Sequence, residues 1–443
     1  MGPRVAIVGG GLAGTEAAWA LARAKVDVDL YEMRPTRGTE AHRSEWLGEL
    51  VCSNSFRNAT LETAVGLLKE EMRRLGSLVI EVADRHRVPA GACLAVDRER
   101  FAAELTARVE AEPRIRIVRQ EVTAIPDGLT ILATGPLTSP ALSEALTEVL
   151  GTRHLYFYDA IAPTVTTESI DMDVAWKASR YDKGGDDYVN CPLDDDQYGA
   201  FIDAVEQAEK VPTRDFERCV YFEGCMPIEE MARRGRNTLA FGPMRPVGLI
   251  DPRTGRRPFA CVQLRQDDVE GRLFNLVGFQ TKMTHPEQRR VFRMIPGLGR
   301  AEFVRLGSLH RNTYVNSPEL LLPSLQVIRR RSLLLAGQII GVEGYVESAA
   351  TGILAGQNAA RLLRGEAMTI PPPTTALGSL LVYVTQRSKA GFQPMNANYG
   401  LFPPLPRRLK GLAKKAALAE RSFEDLARWQ SGIPGAPVNS SVA

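Results

Sequence analysis

The stretch that most constrains this chain lies at its start. Residues 4–8 (Arg-Val-Ala-Ile-Val) read as a short apolar strand, and Gly9-Gly10-Gly11-Leu12-Ala13-Gly14 follows without a gap. Residues 15–25 then read as an alanine-rich helix, and residues 26–31 as a second strand closed by Glu32, 18 residues after Gly14. This is the spacing of a dinucleotide-binding βαβ unit. Gly9 permits the tight turn, Gly11 lets the backbone approach a pyrophosphate, and Gly14 lets helix and strand pack closely. The helix N-terminus offers unpaired N–H groups to phosphates, and Glu32 is placed to accept from ribose hydroxyls.

Two distant segments extend this unit towards FAD. Residues 129–135 (Leu-Thr-Ile-Leu-Ala-Thr-Gly) form an apolar strand ending at Thr134 and Gly135, similar to the second strand motif of two-dinucleotide flavoproteins. Residues 333–338 form another apolar strand ending at Gly337 and Gln338. A turn containing Gly341, Gly344 and Tyr345 follows, then a helix over 346–363 with small residues at 349, 350 and 352. A helix N-terminus there suits the electron-rich edge of a reduced flavin.

The expected fold class is α/β: a Rossmann-type FAD-binding domain, glutathione-reductase-like, interrupted by an inserted α+β domain. The first part spans 1–155, the insert 156–304, the second part 305–370, and a C-terminal helical segment and tail 371–443. A chain of 443 residues suggests two or three domains, and 44% apolar with 24% charged residues is an ordinary globular balance. Within the insert, residues 218–222 and 273–279 read as strands, and 197–209 and 286–294 as helices.

The apolar runs at 333–340 and 380–384 stop far short of the ~18 residues of a membrane span. Six cysteines at 52, 93, 191, 219, 225 and 261 contain no Cys-x-x-Cys pair. That speaks against a disulfide scaffold, a zinc site and a dithiol redox centre together. A reduced, cytoplasmic protein without membrane association or metal is the expectation. The net charge of +3 conceals a contrast: residues 181–231 hold 14 acidic and 4 basic side chains, whereas 281–331 hold 3 acidic and 10 basic ones. Residues 401–430 hold 7 basic and 3 acidic side chains. Such blocks suit an anionic partner on part of the surface.

Four further stretches carry a resemblance over nearly the whole chain. They are residues 31–35 (Tyr-Glu-Met-Arg-Pro), 49–55 (Glu-Leu-Val-Cys-Ser-Asn-Ser), 222–229 (Phe-Glu-Gly-Cys-Met-Pro-Ile-Glu) and 309–318 (Leu-His-Arg-Asn-Thr-Tyr-Val-Asn-Ser-Pro). The chain resembles the folate- and FAD-dependent tRNA uracil-5-methyltransferases, which form ribothymidine in the T loop. The segment from Gly337 to Tyr345 also resembles the longer GidA/MnmG wobble-uridine-modifying flavoproteins.

The resemblance implies FAD, 5,10-methylenetetrahydrofolate as carbon donor, NAD(P)H as reductant and tRNA as substrate. Uracil C5 is a poor nucleophile until a group adds at C6, and a cysteine thiolate is suited to that task. Cys52 and Cys225 lie in the family stretches, so they are the expected catalytic pair; which of them attacks C6 stays open. His310 is the expected platform for the pterin ring, with Tyr314 as competitor, and Glu343 and Tyr345 fall where the flavin is expected. Lys282, Arg289, Arg290 and Arg293 form one basic cluster and Arg407, Arg408, Lys410, Lys414 and Lys415 a second, both suited to tRNA phosphates. The competing readings are a flavin-dependent thiol–disulfide or other NAD(P)H oxidoreductase, a wobble-uridine modifier, and a non-catalytic tRNA-binding flavoprotein.

Overall fold

The computed structural model describes residues 4–39, 41–151, 155–160, 162–182, 185–211, 226–307, 309–386 and 392–432; for 155–160, 182 and 309–312 the description covers the backbone alone. Five parallel strands form the central sheet of one lobe, in the order Leu333–Leu335, Thr130–Leu132, Val5–Val8, Val28–Glu32 and Ile115–Arg119. Val5, Ile7, Val28, Leu30, Ile131 and Leu334 are fully buried. The unbroken apolar strands Val5–Val8 and Leu333–Leu335 suit a parallel sheet covered on both faces, while Val28–Glu32 and Ile115–Arg119 carry charges at Asp29 and Arg116.

The first crossover helix spans Leu12–Arg23, three residues earlier than the sequence pattern suggests. Its N-cap is Gly11 in an extended conformation, so the glycine-rich segment itself enters the helix. Glycine weakens a helix interior, yet Gly14 is required where it stands: a Cβ there would lie 1.8 Å from the Gly9 carbonyl oxygen. The long helix Tyr345–Leu363 settles on the first helix by the same device. A Cβ at Gly352 would meet the Ala13 carbonyl oxygen at 2.2 Å, and one at Gly356 the Ala17 carbonyl oxygen at 2.5 Å.

Glu16, on the buried face of the first helix, accepts from the Val79 N–H at 2.8 Å, the Leu78 N–H at 3.3 Å and the Ser77 hydroxyl. It thereby ties that helix to the start of the Leu78–Arg85 helix. Burial pushes its carboxyl up to about 7, against the opposing pull of these hydrogen bonds. A raised acid favours folding below its unfolded value and loses that contribution as pH rises through the folded one. Stability is therefore expected to fall by on the order of 3 kcal/mol between about pH 4.5 and about pH 7 on account of this group. Thermal midpoints across that range, with Glu16→Gln flattening the profile, check it.

A second lobe is built on a six-stranded antiparallel sheet in the order Trp176–Lys177, Tyr188–Leu193, Ala260–Gln266, Leu273–Leu276, Thr164–Thr166 and Phe303–Arg305. The strand expected over 273–279 ends at Leu276, where Gly278 turns the chain at φ +76°. The helix Asp195–Gln207 begins with a reciprocal cap, Asp194 accepting from the Gln197 N–H at 2.8 Å and the Gln197 side chain accepting from the Asp194 N–H at 3.1 Å. Another helix spans His285–Phe292. The strand expected over 218–222 lies outside the described residues. Each lobe has its own apolar core, one drawn from Val5 to Leu150 and Val315 to Leu426, the other from Val165 to Ala301. The chain crosses between them along two paired antiparallel strands, Leu155–Ala160 and Leu309–Tyr314.

A small antiparallel sheet of Ser55–Asn58, Cys93–Val96 and Arg87–Val88 flanks the first lobe. The C-terminal helices Ala376–Thr385 and Gly411–Ser431 are held there by one buried carboxylate, Glu71. It accepts from the Ala376 N–H at 2.6 Å, the Leu377 N–H at 3.0 Å and the Ser422 hydroxyl at 2.6 Å. Among the described residues no helix is long and apolar enough to cross a membrane, and no cluster of side chains is arranged to hold a metal ion.

Candidate functional site

The first strand is central, and connections leave it in opposite directions: Val28–Glu32 pairs on one side and Thr130–Leu132 on the other. At such a switch point the loops at the carboxyl ends of the strands part and leave a crevice. A cleft opens there. Gly9, Gly10, Gly11, Leu12 and Ala13 form one wall, and Glu32 closes one end. Thr134 and Gly135 come from the second strand end, and Gly337, Gln338 and Tyr345 from the third. Residues more than 300 positions apart thus meet on one surface. Gly14 and Gly344 do not line it. Gly14 packs behind the wall, and Gly344 is the N-cap of the long helix, at φ +112°.

Gly9 sits at φ +107°, and a Cβ there would lie 2.5 Å from the Ala133 carbonyl oxygen. The turn therefore excludes any side chain on steric and torsional grounds together. Glu32 is buried; one carboxylate oxygen accepts from the Gly10 N–H at 3.0 Å, the other from the Arg34 N–H at 3.0 Å and the Arg34 Nε at 2.9 Å. Burial pushes its carboxyl up, but the Arg34 hydrogen bond and charge, with the two backbone donors, hold it below the usual range. It is thus a fixed anion whose Gly10-bound oxygen keeps accepting capacity towards the cleft. Arg34 continues to Glu49 Oε2 and the Ser44 carbonyl, both at 3.2 Å. Arg34 lies in the 31–35 stretch, yet nothing in the spacing reveals it as the partner of Glu32.

Val51 lines the same cleft, and Cys52 follows it in the chain. Cys52 is a thiol, half-buried, and its backbone N–H donates to the Tyr345 hydroxyl at 2.8 Å; the Ser53 N–H donates to the same oxygen at 3.1 Å. Burial, with Cys52 alongside, pushes the Tyr345 phenol well up, so it stays neutral at any ordinary pH. The first turn of its helix is pinned by Glu347, wholly buried, which pairs with Arg57 and accepts from the Ala397 N–H at 2.9 Å. Two residues that the sequence does not single out, Arg98 and Arg265, reach the Cys52 loop, the first at the Leu50 carbonyl and the second at Ser53 and Asn54. Their partners are distant in the chain, so no local signal could have found them.

Cys225, like Cys219, lies outside the described residues. Cys191 and Cys261 are buried, and burial pushes the first thiol well up and the second up to about 12, consistent with inert packing. His310 sits on the Leu309–Tyr314 strand with its backbone opposite Asp159. Tyr314 is buried with its ring 6.0 Å from Phe392, and the Glu343 N–H donates to the Met395 carbonyl at 2.8 Å.

The two basic clusters differ. Lys282 precedes the His285–Phe292 helix and its ammonium pairs with Glu230 in a half-buried contact. Arg290 is paired with Glu287 at 2.6 Å, and Arg293 donates to the Ala301 carbonyl at 3.0 Å. Arg289 is exposed and reaches the His285 carbonyl at 3.5 Å. Two of the four charges on the expected basic face are therefore offset by carboxylates, and Arg293 is turned inward onto a carbonyl. Arg407, Arg408, Lys410 and Lys414 are exposed, with Lys415 half-exposed, at the N-terminal end of the Gly411–Ser431 helix. Its first turn holds no acidic residue. Cations there oppose the positive dipole end, an arrangement that favours an anionic partner.

A parallel sheet with this cleft, joined by paired strands to an antiparallel lobe, is also the architecture of Aquifex aeolicus GidA. That structure aligns with a TM-score of 0.71, covering 98% of this chain and 74% of that one, at 16% identity, a likeness of fold alone. The family model described as glucose inhibited division protein A matches residues 4–367, which defines the class as GidA-type. Closer relatives specify more. The methylenetetrahydrofolate–tRNA-(uracil-5-)-methyltransferase TrmFO of Geobacter sulfurreducens is 60% identical over 97% of this chain and 99% of its own length. Those of Moorella thermoacetica and Heliobacterium modesticaldum are 59% and 57% identical, each over 96% of this chain and 98% of their own. The chain belongs to the TrmFO family.

Proposed function

We propose that this chain transfers the one-carbon unit of 5,10-methylenetetrahydrofolate to C5 of the T-loop uridine of tRNA, forming ribothymidine, with bound FAD and with NAD(P)H as reductant. What carries the reading is near full-length kinship with proteins named for that methyl transfer, on a chain that keeps Cys52 beside the cleft. We further propose that the parallel lobe is a Rossmann-type FAD-binding domain split into 1–155 and 305–370 by an α+β insert over 156–304. The C-terminal helical segment is 371–443. A reducing cytoplasmic setting fits an enzyme that needs its thiols.

The residues present fit FAD. A Cβ at Gly11 or Gly135 would meet nothing within 4 Å, so the backbone lies open to a ligand there. Glu32 would hold ribose hydroxyls through its remaining lone pair, and the helix beginning at Leu12 would present its N–H groups to the pyrophosphate. Thr134, Gly135, Gly337 and Gln338 would line the middle of the cofactor, and the helix start at Gly344 and Tyr345 would face the flavin end. Reduced FAD supplies the carriage of the one-carbon unit and the electrons that turn methylene into methyl.

The protein's own groups handle the uracil. One thiol of Cys52 and Cys225 adds as its thiolate to C6, which makes C5 nucleophilic; the other takes the C5 proton once the carbon is attached, and the C6–S bond then breaks to return the thiolate. Tyr345, as a neutral acceptor, fixes the backbone of Cys52 without competing for that proton. His310 on the strand joining the lobes would stack on the pterin. The target uridine leaves its folded loop to reach the site.

We assign the main tRNA contact to Arg407, Arg408, Lys410, Lys414 and Lys415, with Arg289 as an outlying one, and a lesser share to Lys282, Arg290 and Arg293. Removing one phosphate-binding cation should reduce the slope of log affinity against log salt by about 0.7–0.9. Lys410→Gln with Lys414→Gln should thus flatten the slope, while Arg290→Gln, whose charge Glu287 already partly offsets, should change it much less. Filter binding of tRNA transcript at several salt concentrations reads both. The function itself is tested by mixing flavin-loaded protein, unmodified tRNA, NAD(P)H and radiolabelled methylenetetrahydrofolate. Label should enter the T loop; turnover of small disulfides without label would instead favour the oxidoreductase.

A further inference from the structure

The loop over 50–54 that carries Cys52 is anchored by residues far away in the chain. Its backbone amides at Cys52 and Ser53 both go to Tyr345, on the cofactor side. The remaining anchors come from elsewhere. The Leu50 carbonyl accepts from Arg98 Nη1 at 3.1 Å, and Arg98 Nε in turn donates to Asp267 Oδ1 at 3.0 Å. Arg265 Nη2 donates to Ser53 Oγ at 3.0 Å, and its Nε to Asn54 Oδ1 at 3.0 Å. The Asn54 amide donates to the Gln266 carbonyl at 2.9 Å and the Val96 carbonyl at 3.1 Å. Arg265 and Gln266 of the second lobe therefore grip this segment of the first directly, and Asp267 does so through Arg98.

The chemistry of that grip is unusual for a purely structural contact. Arg265 is buried, yet its hydrogen-bond partners here are two neutral oxygens, and burying a charge against neutral acceptors is costly. A planar fork gains something in return that a lysine or an amide does not: it sets two adjacent side chains, Ser53 and Asn54, in one fixed geometry. Those are the residues immediately following Cys52. Arg98 fixes the backbone two residues before it, at the Leu50 carbonyl, and is itself oriented by Asp267. Arg305, Glu49 and Asp267 are the other charges near this junction.

We propose that Arg265 and Arg98 are positioning residues: through Ser53, Asn54 and the Leu50 carbonyl they hold the Cys52 thiol in its working position, so the second lobe completes the reactive loop of the first. This rests on the reading of Cys52 as a working thiol. Misplacing a reacting group by about 1 Å costs roughly 10²-fold in rate. In flavin-loaded enzyme, Arg265→Met should lower kcat for tRNA methylation by about that factor while KM for tRNA changes less than about twofold. Arg265→Lys should recover part of the activity. The milder Ser53→Ala, which removes one acceptor without burying a new gap, should lower kcat about tenfold and serves if Arg265→Met does not fold.

A second readout needs no turnover: the rate at which iodoacetamide labels Cys52, followed by peptide mass spectrometry at fixed pH, should change in both variants and return towards the parent in Arg265→Lys. Unchanged kcat and labelling in Ser53→Ala and Arg265→Met, or a change in KM alone, would overturn the proposal. Full activity of Cys52→Ala would defeat the reading of Cys52 instead, while altered labelling in Arg265→Met would still uphold the positioning.

Discussion

Cys52→Ala is expected to reduce ribothymidine formation by roughly 10²–10⁴-fold, the range for losing a group that adds to or takes a proton from the reacting ring. Flavin content and thermal midpoint should stay near the parent values, because Cys52 is held through its backbone. Its amide N–H, which alanine keeps, donates to Tyr345 at 2.8 Å, and the anchoring side chains belong to Ser53 and Asn54. The control is Cys191→Ala or Cys261→Ser, at thiols buried in the second lobe and outside the cleft lining. Those changes should act on stability alone. Equal activity of Cys52→Ala and parent in a single-turnover assay would remove Cys52 from the chemistry.

Gly9→Val is expected to strip the protein of flavin. A β-branched residue at φ +107° is strained by about 1–3 kcal/mol. Its Cβ would also press to 2.5 Å on the Ala133 carbonyl and 2.8 Å on the Thr134 Cα, adding about 1–3 kcal/mol of overpacking at the cleft wall. Since about 1.4 kcal/mol is tenfold in binding, flavin per chain should fall by about tenfold or more, read from the visible-to-ultraviolet absorbance ratio of purified protein. Gly11→Ala offers the contrast. A Cβ there meets no protein atom within 4 Å. The flavin-free form should therefore keep its thermal midpoint while FAD affinity falls. Equal loss of fold and flavin in both variants would mean that neither glycine acts through the ligand.

What can be read in the sequence, and what cannot, divides along the length of chain that each feature spans. Gly9, Gly11, Gly14 and Glu32 lie within one βαβ unit, where local spacing encodes geometry, and the strands at 5–8, 130–132 and 333–335 announce themselves as mostly apolar runs, whereas Ile115–Arg119, with charges at Arg116 and Arg119, does not. Thr134 and Gly337 are legible for the same reason, as small residues ending such runs. The first helix starts three residues before its pattern suggests because glycines normally oppose helix, whereas here Gly14 is retained for its closeness to Gly9. Arg34 is visible as part of a motif but not as the counter-ion of Glu32. Arg265 and Arg98 are invisible, since the bond from Arg265 to Ser53 joins residues 212 apart and appears only when the second lobe docks on the first. The basic block over 281–331 overstates its free charge for a similar reason. Glu287 lies three residues before Arg290 and is within reach of inspection, but the Lys282–Glu230 pair depends on the tertiary fold.

The central claim, that the methyl carbon comes from the folate methylene and receives its last hydrogen by reduction, can be read from a single mass spectrum. Flavin-loaded protein would be given unmodified tRNA, NAD(P)H and methylenetetrahydrofolate carrying two deuterons on the transferred carbon. The T-loop nucleoside would then be released and weighed. The account predicts ribothymidine with both deuterons retained, absent when Cys52 is replaced by alanine. A T-loop nucleoside that stays uridine, or a methyl group without deuterium, would contradict it.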